Sequence, residues 1–311
     1  MRQKIPLIAM LFLILLCHCL QAEDRSQNLA IRAGKIWTIT NGVITNGVII
    51  VKDGKIDAVG KDLRIPRDVR VLDMPGKSVM PGLIDTHSHL GLSLDVFGEI
   101  EETVQAVTPD MRVLDAFNPS NDDVKKALRS GVTTLQLSPG YKNPIAGQTA
   151  VVKLYGKEPG DWVLKRDAGV KFSVGNEALM STRQPTSRSG LMALIRDELN
   201  KGKDPRSETL KRVSDGELPV YIYCDTVDEI LSAIKIIDEY KLKATLVGAR
   251  EGDEVAGMIA ERNIPVIYTP ILLLSRDKEL KRAGKISAAG VKIAFASFAP
   301  RTNPADLRAS A

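Results

Sequence analysis

The stretch after residue 81 alternates short apolar runs with amphipathic segments, and this alternation limits the possible folds more than any other feature. In one amphipathic segment, Ile230, Ile234 and Ile237 share a helical face, and Thr226 with Glu229 forms a capping-box pattern at its start. Repeated strand-helix units predict a parallel sheet, with closure into a (β/α)8 TIM-type barrel as the favoured arrangement. The predicted helices cover 122–129, 226–240, 253–262 and 278–283, and the predicted strands cover 132–137, 150–154, 170–174, 219–223, 244–247, 265–269 and 291–296.

The residues before this stretch have a different texture, with short alternating runs separated by turn residues. They predict strands at 31–40, 47–52 and 55–59, with Asp53 and Gly54 forming a two-residue hairpin turn. We therefore expect a small N-terminal β-sandwich half over 23–80, followed by an α/β barrel over 81–311.

The chemistry of the chain centres on His87 and His89, which follow the run Pro-Gly-Leu-Ile-Asp-Thr. Alternate residues of a strand face the same way, so the two imidazoles point to one side. Two such imidazoles can bind one divalent metal, with Zn²⁺ as the default for nitrogen ligands. Paired histidines on a strand are also commonly surface or hydrogen-bonded residues, so the motif alone leaves both interpretations open.

These features resemble the amidohydrolase superfamily. Residues 28–90 are similar to its opening segment, a sandwich half followed by Pro-Gly-hydrophobic-hydrophobic-Asp-x-His-x-His on the first strand of a metal-bearing barrel. The segments 143–148, 150–154, 183–188 and 218–220 resemble the imidazolonepropionase-related branch. The resemblance covers nearly all of residues 28–300. It implies a metal-dependent hydrolase of carbon–nitrogen bonds that uses Zn²⁺ or another divalent ion.

Three positions depart from the family pattern. Where the family carries histidines on strands 5 and 6 and an aspartate on strand 8, this chain places Tyr223, Gly248 and Phe298. In the family the metal lowers the pKa of a bound water and the aspartate takes its proton. Only three histidines occur in the chain, and His18 lies in the predicted signal peptide, so His87 and His89 have no downstream imidazole partner. Two histidines alone form a weak, open metal site.

Two residues could replace the missing metal ligands. Asp225 shares the strand face of Tyr223 if that strand extends far enough. Lys171 occupies the position where some relatives carry a strand-4 lysine that is carboxylated to bridge two metals. The other interpretation of Lys171, a solvated lysine at a strand end, is the one we favour from the sequence.

Further candidates have weaker support. Asp225 and Glu177 are the carboxylates available for proton transfer, although a loop carboxylate such as Glu177 is usually only solvated. Arg183 and Arg188 could bind a substrate carboxylate bidentately, but surface arginines near a helix start are commoner. Tyr223 is a further candidate for substrate binding.

Two further residues are interpreted as structural. Cys224 has no adjacent histidine to activate it, so it is read as a small buried residue. Asp85 is expected to position the end of strand 1.

The first residues have the order of a secretory signal peptide: Arg2 and Lys4, then an apolar run, then a small-residue end at Ala22. Cleavage after residue 22 would give an exported periplasmic or extracellular protein without a membrane span. The formal charge would fall from +5 to +3 through loss of Arg2 and Lys4, a balance that indicates no nucleic-acid partner. Cys224 would then be the only cysteine, so stability must come from a packed core.

The chain reaches Ala311 without the last barrel helix and the returning sandwich strands that the resemblance implies. An unpaired sheet edge over 28–80 would then be exposed, which predicts an oligomer or a partner chain, or else a gene fragment. Two functions remain open. One is a hydrolase of an N-acyl amino acid, an amide or a cyclic amide. The other, favoured by the missing ligands, is a non-catalytic pseudoenzyme or binding subunit that pairs with an intact paralogue and holds no metal.

Overall fold

The computed structural model describes residues 28–67, 69–92, 100–156, 159–201, 207–271 and 277–300, together with residues 303, 304 and 307. The predicted signal peptide at 1–22 lies outside these ranges. Within them, no helix combines the length and hydropathy needed to cross a membrane. The chain divides into two compact units after Pro81, and the boundary expected from the sequence lies one residue earlier.

The N-terminal unit is a four-stranded sheet with the order β3-β2-β1-β4, in which β1 and β4 run parallel and the other neighbours antiparallel. Asp53 and Gly54 join β2 to β3 with positive φ angles of 50° and 72°, as a tight hairpin turn requires. Ala30, Val48 and Ile50 form a small core on this sheet. Its strands are β1 (Leu29–Trp37), β2 (Val43–Lys52), β3 (Lys55–Lys61) and β4 (Arg70–Val79).

The second unit is an eight-stranded sheet whose strands follow one another in chain order, from β5 to β12. The strands are β5 (Leu83–Ser88), β6 (Val132–Leu137), β7 (Ile145–Lys153), β8 (Val163–Ser173), β9 (Val220–Cys224), β10 (Ala244–Gly248), β11 (Val266–Tyr268) and β12 (Ile293–Phe295). The helices are α1 (Asp122–Arg129), α2 (Arg188–Lys201), α3 (Glu208–Ser214), α4 (Val227–Tyr240), α5 (Ala256–Glu261) and α6 (Asp277–Ala288). The predicted TIM-type barrel with a small N-terminal sheet unit is confirmed.

One strand runs against the prediction of a wholly parallel barrel. β7 is antiparallel to both β6 and β8, whereas the other neighbouring strands are parallel. The connection from β6 to β7 spans only residues 138–144, and a parallel crossover needs about a dozen residues or more. The short connection therefore reverses β7 and brings residues 138–144 to the carboxyl ends of β5, β6 and β8.

The first and last strands approach each other through loop contacts. The Thr86 hydroxyl donates to the Phe295 carbonyl (2.8 Å), and the backbone N–H of Phe298 donates to the His87 carbonyl (3.1 Å). The His89 N–H donates to the Ala299 carbonyl (2.8 Å). These bonds nearly close the barrel and place the residues after β12 beside both histidines.

The helices pack their apolar faces onto the outside of the sheet. Ile230, Ile234 and Ile237 of α4 are buried, as their spacing predicts. The Glu229 carboxylate accepts from the backbone N–H groups of Asp225 (2.8 Å) and Thr226 (3.2 Å), so it caps the start of α4. This cap fixes the end of β9, where Tyr223 and Asp225 lie.

Candidate metal and substrate site

The candidate site lies inside the carboxyl end of the barrel. His87 is in β5, His89 follows that strand, Lys171 is in β8 and Tyr223 is in β9. His87, His89 and Lys171 are 1%, 2% and 0% exposed, so each of these side chains is enclosed by protein. In barrels of this type the chemistry is carried at this end of the strands.

The two histidines are held differently. The His89 Nδ1 atom lies 2.7 Å from the Ser138 carbonyl oxygen, and a carbonyl can only accept. Nδ1 therefore carries the proton and Nε2 keeps its lone pair, the tautomer typical of a metal ligand. The ring centroid of His87 lies 5.1 Å from that of His89. The buried Nε2 atom of His87 has no hydrogen-bond partner among the described residues.

Electrostatics keep His87 uncharged. Burial lowers the pKa of its imidazole well below the ordinary value, and the nearby Lys171 and His89 lower it further. A neutral imidazole can bind a metal ion or accept a proton through its unprotonated ring nitrogen.

Lys171 is fully buried, so our preference for a solvated lysine at a strand end is wrong. Burial lowers the pKa of its amine from 10.5 to about 7. Its Nζ atom has no hydrogen-bond partner in the described part of the chain and lies 5.5 Å from the centroid of the Tyr223 ring. β8 is the fourth strand of the barrel, which matches the strand that the resemblance assigned to Lys171. Sequence alone could not show that Tyr223 covers this strand end.

The opposite side of the site is apolar. Phe298 packs with Val247, Ile267 and Ala296 in a buried cluster that includes Tyr223. The Phe298 ring centroid lies 4.5 Å from that of His87. The nitrogen donors thus come from the ends of β5 and β8. The ends of β10, β11 and β12 carry apolar side chains instead.

Asp225 sits beside this apolar side. Its Oδ2 atom accepts from the Tyr223 hydroxyl (3.2 Å) and from Arg250 Nη2 (2.9 Å). Burial raises the pKa of the Asp225 carboxyl, and Arg250 lowers it in part. The structure does not bring Asp225 together with the two histidines as a third ligand, because Tyr223 and Arg250 hold it over Gly248.

Asp85 closes the barrel beneath the histidines. Its buried carboxylate accepts from the Ser297 backbone N–H (2.9 Å), from the Ser297 hydroxyl (2.5 Å) and from the His87 N–H (3.4 Å). These contacts tie the end of β5 to the residues after β12. They fit the positioning role expected for Asp85.

Arg183 and Arg188 are occupied by contacts within the protein, which argues against the predicted role in binding a substrate carboxylate. Arg183 donates to four acceptors, three of them backbone carbonyls. Arg188 donates to Asn176 Oδ1 (3.1 Å) and pairs with Asp228 and Glu229. The sequence could not reveal these partners, since most of them lie 40 residues or more from Arg183.

Glu177 and Cys224 follow or end neighbouring strands of the barrel, β8 and β9. Glu177 follows β8 in a single helical turn, Asn176–Ala178, and burial raises the pKa of its carboxyl with help from Glu229 and Asp225. Cys224 is fully buried, and burial raises the pKa of its thiol well above 9.0, so it is an inert core residue, as expected.

Sequence reasoning missed Tyr141 and Arg250. The Tyr141 ring stacks on Tyr223 with centroids 4.4 Å apart and an interplanar angle of 14°. Arg250 follows β10 and pairs with Asp225. The only signal in the sequence was position, since each follows a predicted strand by a few residues.

Three nitrogen-bearing side chains, those of His87, His89 and Lys171, are the candidate metal ligands of this site. Within the described ranges, no three side chains of His, Cys, Asp or Glu come together as a metal-binding group. His87 interacts electrostatically with both Lys171 and His89, so these three side chains lie near one another.

The comparisons with known proteins agree with this architecture. No protein-family model matches the chain. An imidazolonepropionase of Klebsiella pneumoniae subsp. pneumoniae is 31% identical over 144 residues, 38% of this chain and 35% of the relative. The amidohydrolase TasK of Hapsidospora irregularis is 27% identical over 124 residues, 39% of this chain and 12% of the relative. The matched part thus spans about a third, or less, of these relatives.

The crystal structure of an amidohydrolase from Thermotoga maritima MSB8 superimposes with a TM-score of 0.80 at 25% identity, covering 89% of this chain and 80% of that one. A prolidase complexed with N-methylphosphonate-L-proline reaches a TM-score of 0.51 at 16% identity over 87% of this chain and 78% of its own, a likeness of fold alone. These likenesses support a relationship to the amidohydrolase superfamily, and within it to the imidazolonepropionases.

Proposed function

We propose that this protein is a metal-dependent hydrolase of carbon–nitrogen bonds in an N-acyl amino acid, an amide or a cyclic amide. The observation that carries the proposal is the buried group of His87, His89 and Lys171, in which His87 Nε2 and Lys171 Nζ have no hydrogen-bond partner in the described structure. Buried polar atoms without partners are costly, and a bound ion would remove that cost.

His87, His89 and Lys171 would hold Zn²⁺ or another divalent ion, with Lys171 as a neutral amine or in the carboxylated form that the resemblance implies. A bound ion of this kind acts as a Lewis acid and lowers the pKa of water. His89 is oriented for this role by its bond to Ser138, and Asp85 fixes the end of the strand that carries His87.

The remaining side chains bind substrate and exclude water. Phe298, Val247 and Ile267 offer an apolar wall for the hydrocarbon part of an amide. Asp225 takes the role of proton acceptor, because its Oδ1 atom is buried without a hydrogen-bond partner and burial raises the pKa of its carboxyl. Glu177 is the second carboxylate at this end of the barrel.

Elemental analysis of the mature chain, purified without chelators, tests the proposal. We expect about one zinc-type ion per chain, lost in His87→Ala, His89→Ala and Lys171→Met. Lys153→Met is a matched control, because Lys153 is an exposed lysine at the end of β7. A panel of N-acyl amino acids and cyclic amides then measures hydrolysis. Protein that contains no metal and shows no turnover would rule the proposal out.

A second candidate function is a non-catalytic binding subunit that pairs with an intact relative and needs no metal. Phe298 and Gly248 favour it, because a phenyl ring and a residue without a side chain stand where the family carries a base and a ligand. Exposed apolar residues near the edges of the N-terminal sheet, such as Ile56 and Val71, would suit a covering partner. Turnover by the isolated chain that is lost in His89→Ala would exclude this alternative.

Export is part of the proposal. Residues 1–22 would direct the chain to the periplasm or the extracellular space, and the mature protein would begin at Glu23. N-terminal sequencing of protein recovered outside the cytoplasm checks this start. Recovery of a chain that still begins at Met1 would contradict it.

A further inference from the structure

Arg183 joins two segments of the chain through hydrogen bonds. Its Nε atom donates to the Thr103 carbonyl (2.7 Å), and its Nη2 atom donates to the Lys142 carbonyl (2.9 Å) and to Asn143 Oδ1 (2.5 Å). Nη1 donates to the Gln184 carbonyl (3.2 Å). The planar guanidinium thus bonds at once to a segment at 100–103 and to the connection between β6 and β7.

The same two segments are also joined directly. The Lys142 backbone N–H donates to Glu101 Oε1 (2.8 Å), and the Gly140 N–H donates to the Ile100 carbonyl (3.1 Å). Asn143 Nδ2 donates to the Glu102 carbonyl (2.5 Å). Arg183 therefore completes a hydrogen-bond network that fixes Gly140 and Lys142, the residues before and after Tyr141.

Tyr141 is the side chain that this network positions. It stacks on Tyr223, both rings are buried, and the Tyr223 centroid lies 5.5 Å from Lys171 Nζ. Tyr223 belongs to a regular strand, whereas Tyr141 lies in a connection without regular secondary structure. Movement of Tyr141 is accordingly the smaller change that would open this side of the site.

We infer that Arg183 is a positioning residue that holds Tyr141 against Tyr223 and thereby closes access to His87, His89 and Lys171. A substrate reaches these side chains when the Arg183 network loosens and Tyr141 leaves the stack. The meaning of this closure for catalysis rests on the proposed hydrolase function. The closure itself does not depend on that function.

Chemical modification of the histidines tests the inference without any need for turnover. Diethyl pyrocarbonate acylates accessible neutral imidazoles, and residues 23–311 contain only His87 and His89. The mature chain is treated in the presence of a chelator, so that a bound ion cannot protect the rings. Mass spectrometry of the peptide that carries both histidines gives the rate of modification.

Arg183→Gln should raise this rate roughly 10- to 100-fold, because losing several hydrogen bonds increases the population of the open form. Arg183→Lys, which keeps the charge and some donors, should give an intermediate rate. Arg262→Gln is the matched control, since Arg262 donates to Asp238 and to the Met258 carbonyl at the amino end of β11. Its rate should equal that of the wild type.

Tyr141→Ala keeps the inference testable if Arg183→Gln fails to melt cooperatively. It removes the stacked ring directly and should expose the histidines to a similar degree. Unchanged protection in Tyr141→Ala would overturn the covering role of Tyr141. Exposure in Tyr141→Ala together with wild-type protection in a folded Arg183→Gln protein would overturn the role of Arg183. If the mature chain holds no metal and shows no turnover, but Arg183→Gln and Tyr141→Ala are modified faster than the wild type, only the hydrolase proposal is rejected.

Discussion

The Oδ1 atom of Asp225 lies 2.5 Å from the point that a Cβ atom on Gly248 would occupy. The ends of β9 and β10 therefore share one space, and Asp225 fills it. Gly248 also has a φ of +96°, a backbone conformation that other residues rarely adopt. Asp225 can thus occupy this position only because the residue at the end of β10 is a glycine.

Gly248→Ala should destabilise the protein by roughly 2–4 kcal/mol, because the new methyl group meets Asp225 and the backbone is strained. Urea unfolding of the mature chain measures this change. Gly257→Ala in α5 is the control, since a Cβ atom there meets nothing within 4 Å, and it should be neutral or stabilising. In an Asp225→Ala background the cost of Gly248→Ala should fall, and additive costs would show that the two residues do not compete.

The pKa of Lys171 predicts a dependence of stability on pH. The amine has a pKa of about 7 in the folded protein, compared with 10.5 for an ordinary lysine. Between these values the unfolded chain binds a proton that the folded protein does not, so stability rises with pH from about 7 upward and is reduced below it. The rise should be roughly 2 kcal/mol between pH 7 and pH 9.

Urea unfolding of metal-free protein across this range should show the rise in the wild type and its loss in Lys171→Met. Lys153→Met, which removes an exposed lysine, should keep the wild-type slope. Equal slopes in all three proteins would mean that Lys171 is charged in the folded state.

Local pattern was sufficient to predict several elements. The helix at 122–129 and the strand at 132–137 have the bounds predicted from sequence, because capping, amphipathic spacing and a glycine between them are all local signals. The direction of β7 was not predictable in this way. The sequence predicted this strand only from residue 150, which left room for a parallel crossover after Leu137, whereas the strand begins at Ile145 and the connection is too short for one.

The site residues also differ in whether local sequence signals were sufficient to predict their role. His87 and His89 were found because their spacing, directly after the run Pro-Gly-Leu-Ile-Asp-Thr, carries the signal. The burial of Lys171 depends on Tyr223, and the contacts of Arg183 depend on Thr103 and Lys142, all distant in sequence. Residue type alone favoured a solvated lysine and left Arg183 between a surface residue and a substrate-binding one, whereas the tertiary contacts bury Lys171 and occupy Arg183 with backbone carbonyls.

Asp85→Asn should destabilise the barrel by roughly 1–3 kcal/mol, because an amide nitrogen would replace an oxygen that accepts from Ser297. The matched variant Asp73→Asn changes an exposed carboxylate in β4 and should have little effect. Thermal unfolding compares the two. Equal stability of both variants would show that the contacts between Asp85 and Ser297 do not hold the ends of β5 and β12 together.

Phe298→Asp should raise the pKa of His87. The Phe298 ring lies 4.5 Å from the imidazole, and the φ of Phe298 is 52°, a conformation that aspartate tolerates better than phenylalanine. A carboxylate at this position would favour the imidazolium and offset part of the burial that now lowers the pKa, by roughly one unit or more. NMR titration of the metal-free mature chain resolves the change, because only His87 and His89 contribute imidazole signals.

Phe298→Leu is the control, because it removes the ring without adding charge and should leave His87 neutral over the same pH range. Identical titrations of the two variants would show that residue 298 does not face His87 in solution. A raised pKa accompanied by tighter Zn²⁺ binding in Phe298→Asp would show that the apolar side of the site limits its affinity for metal.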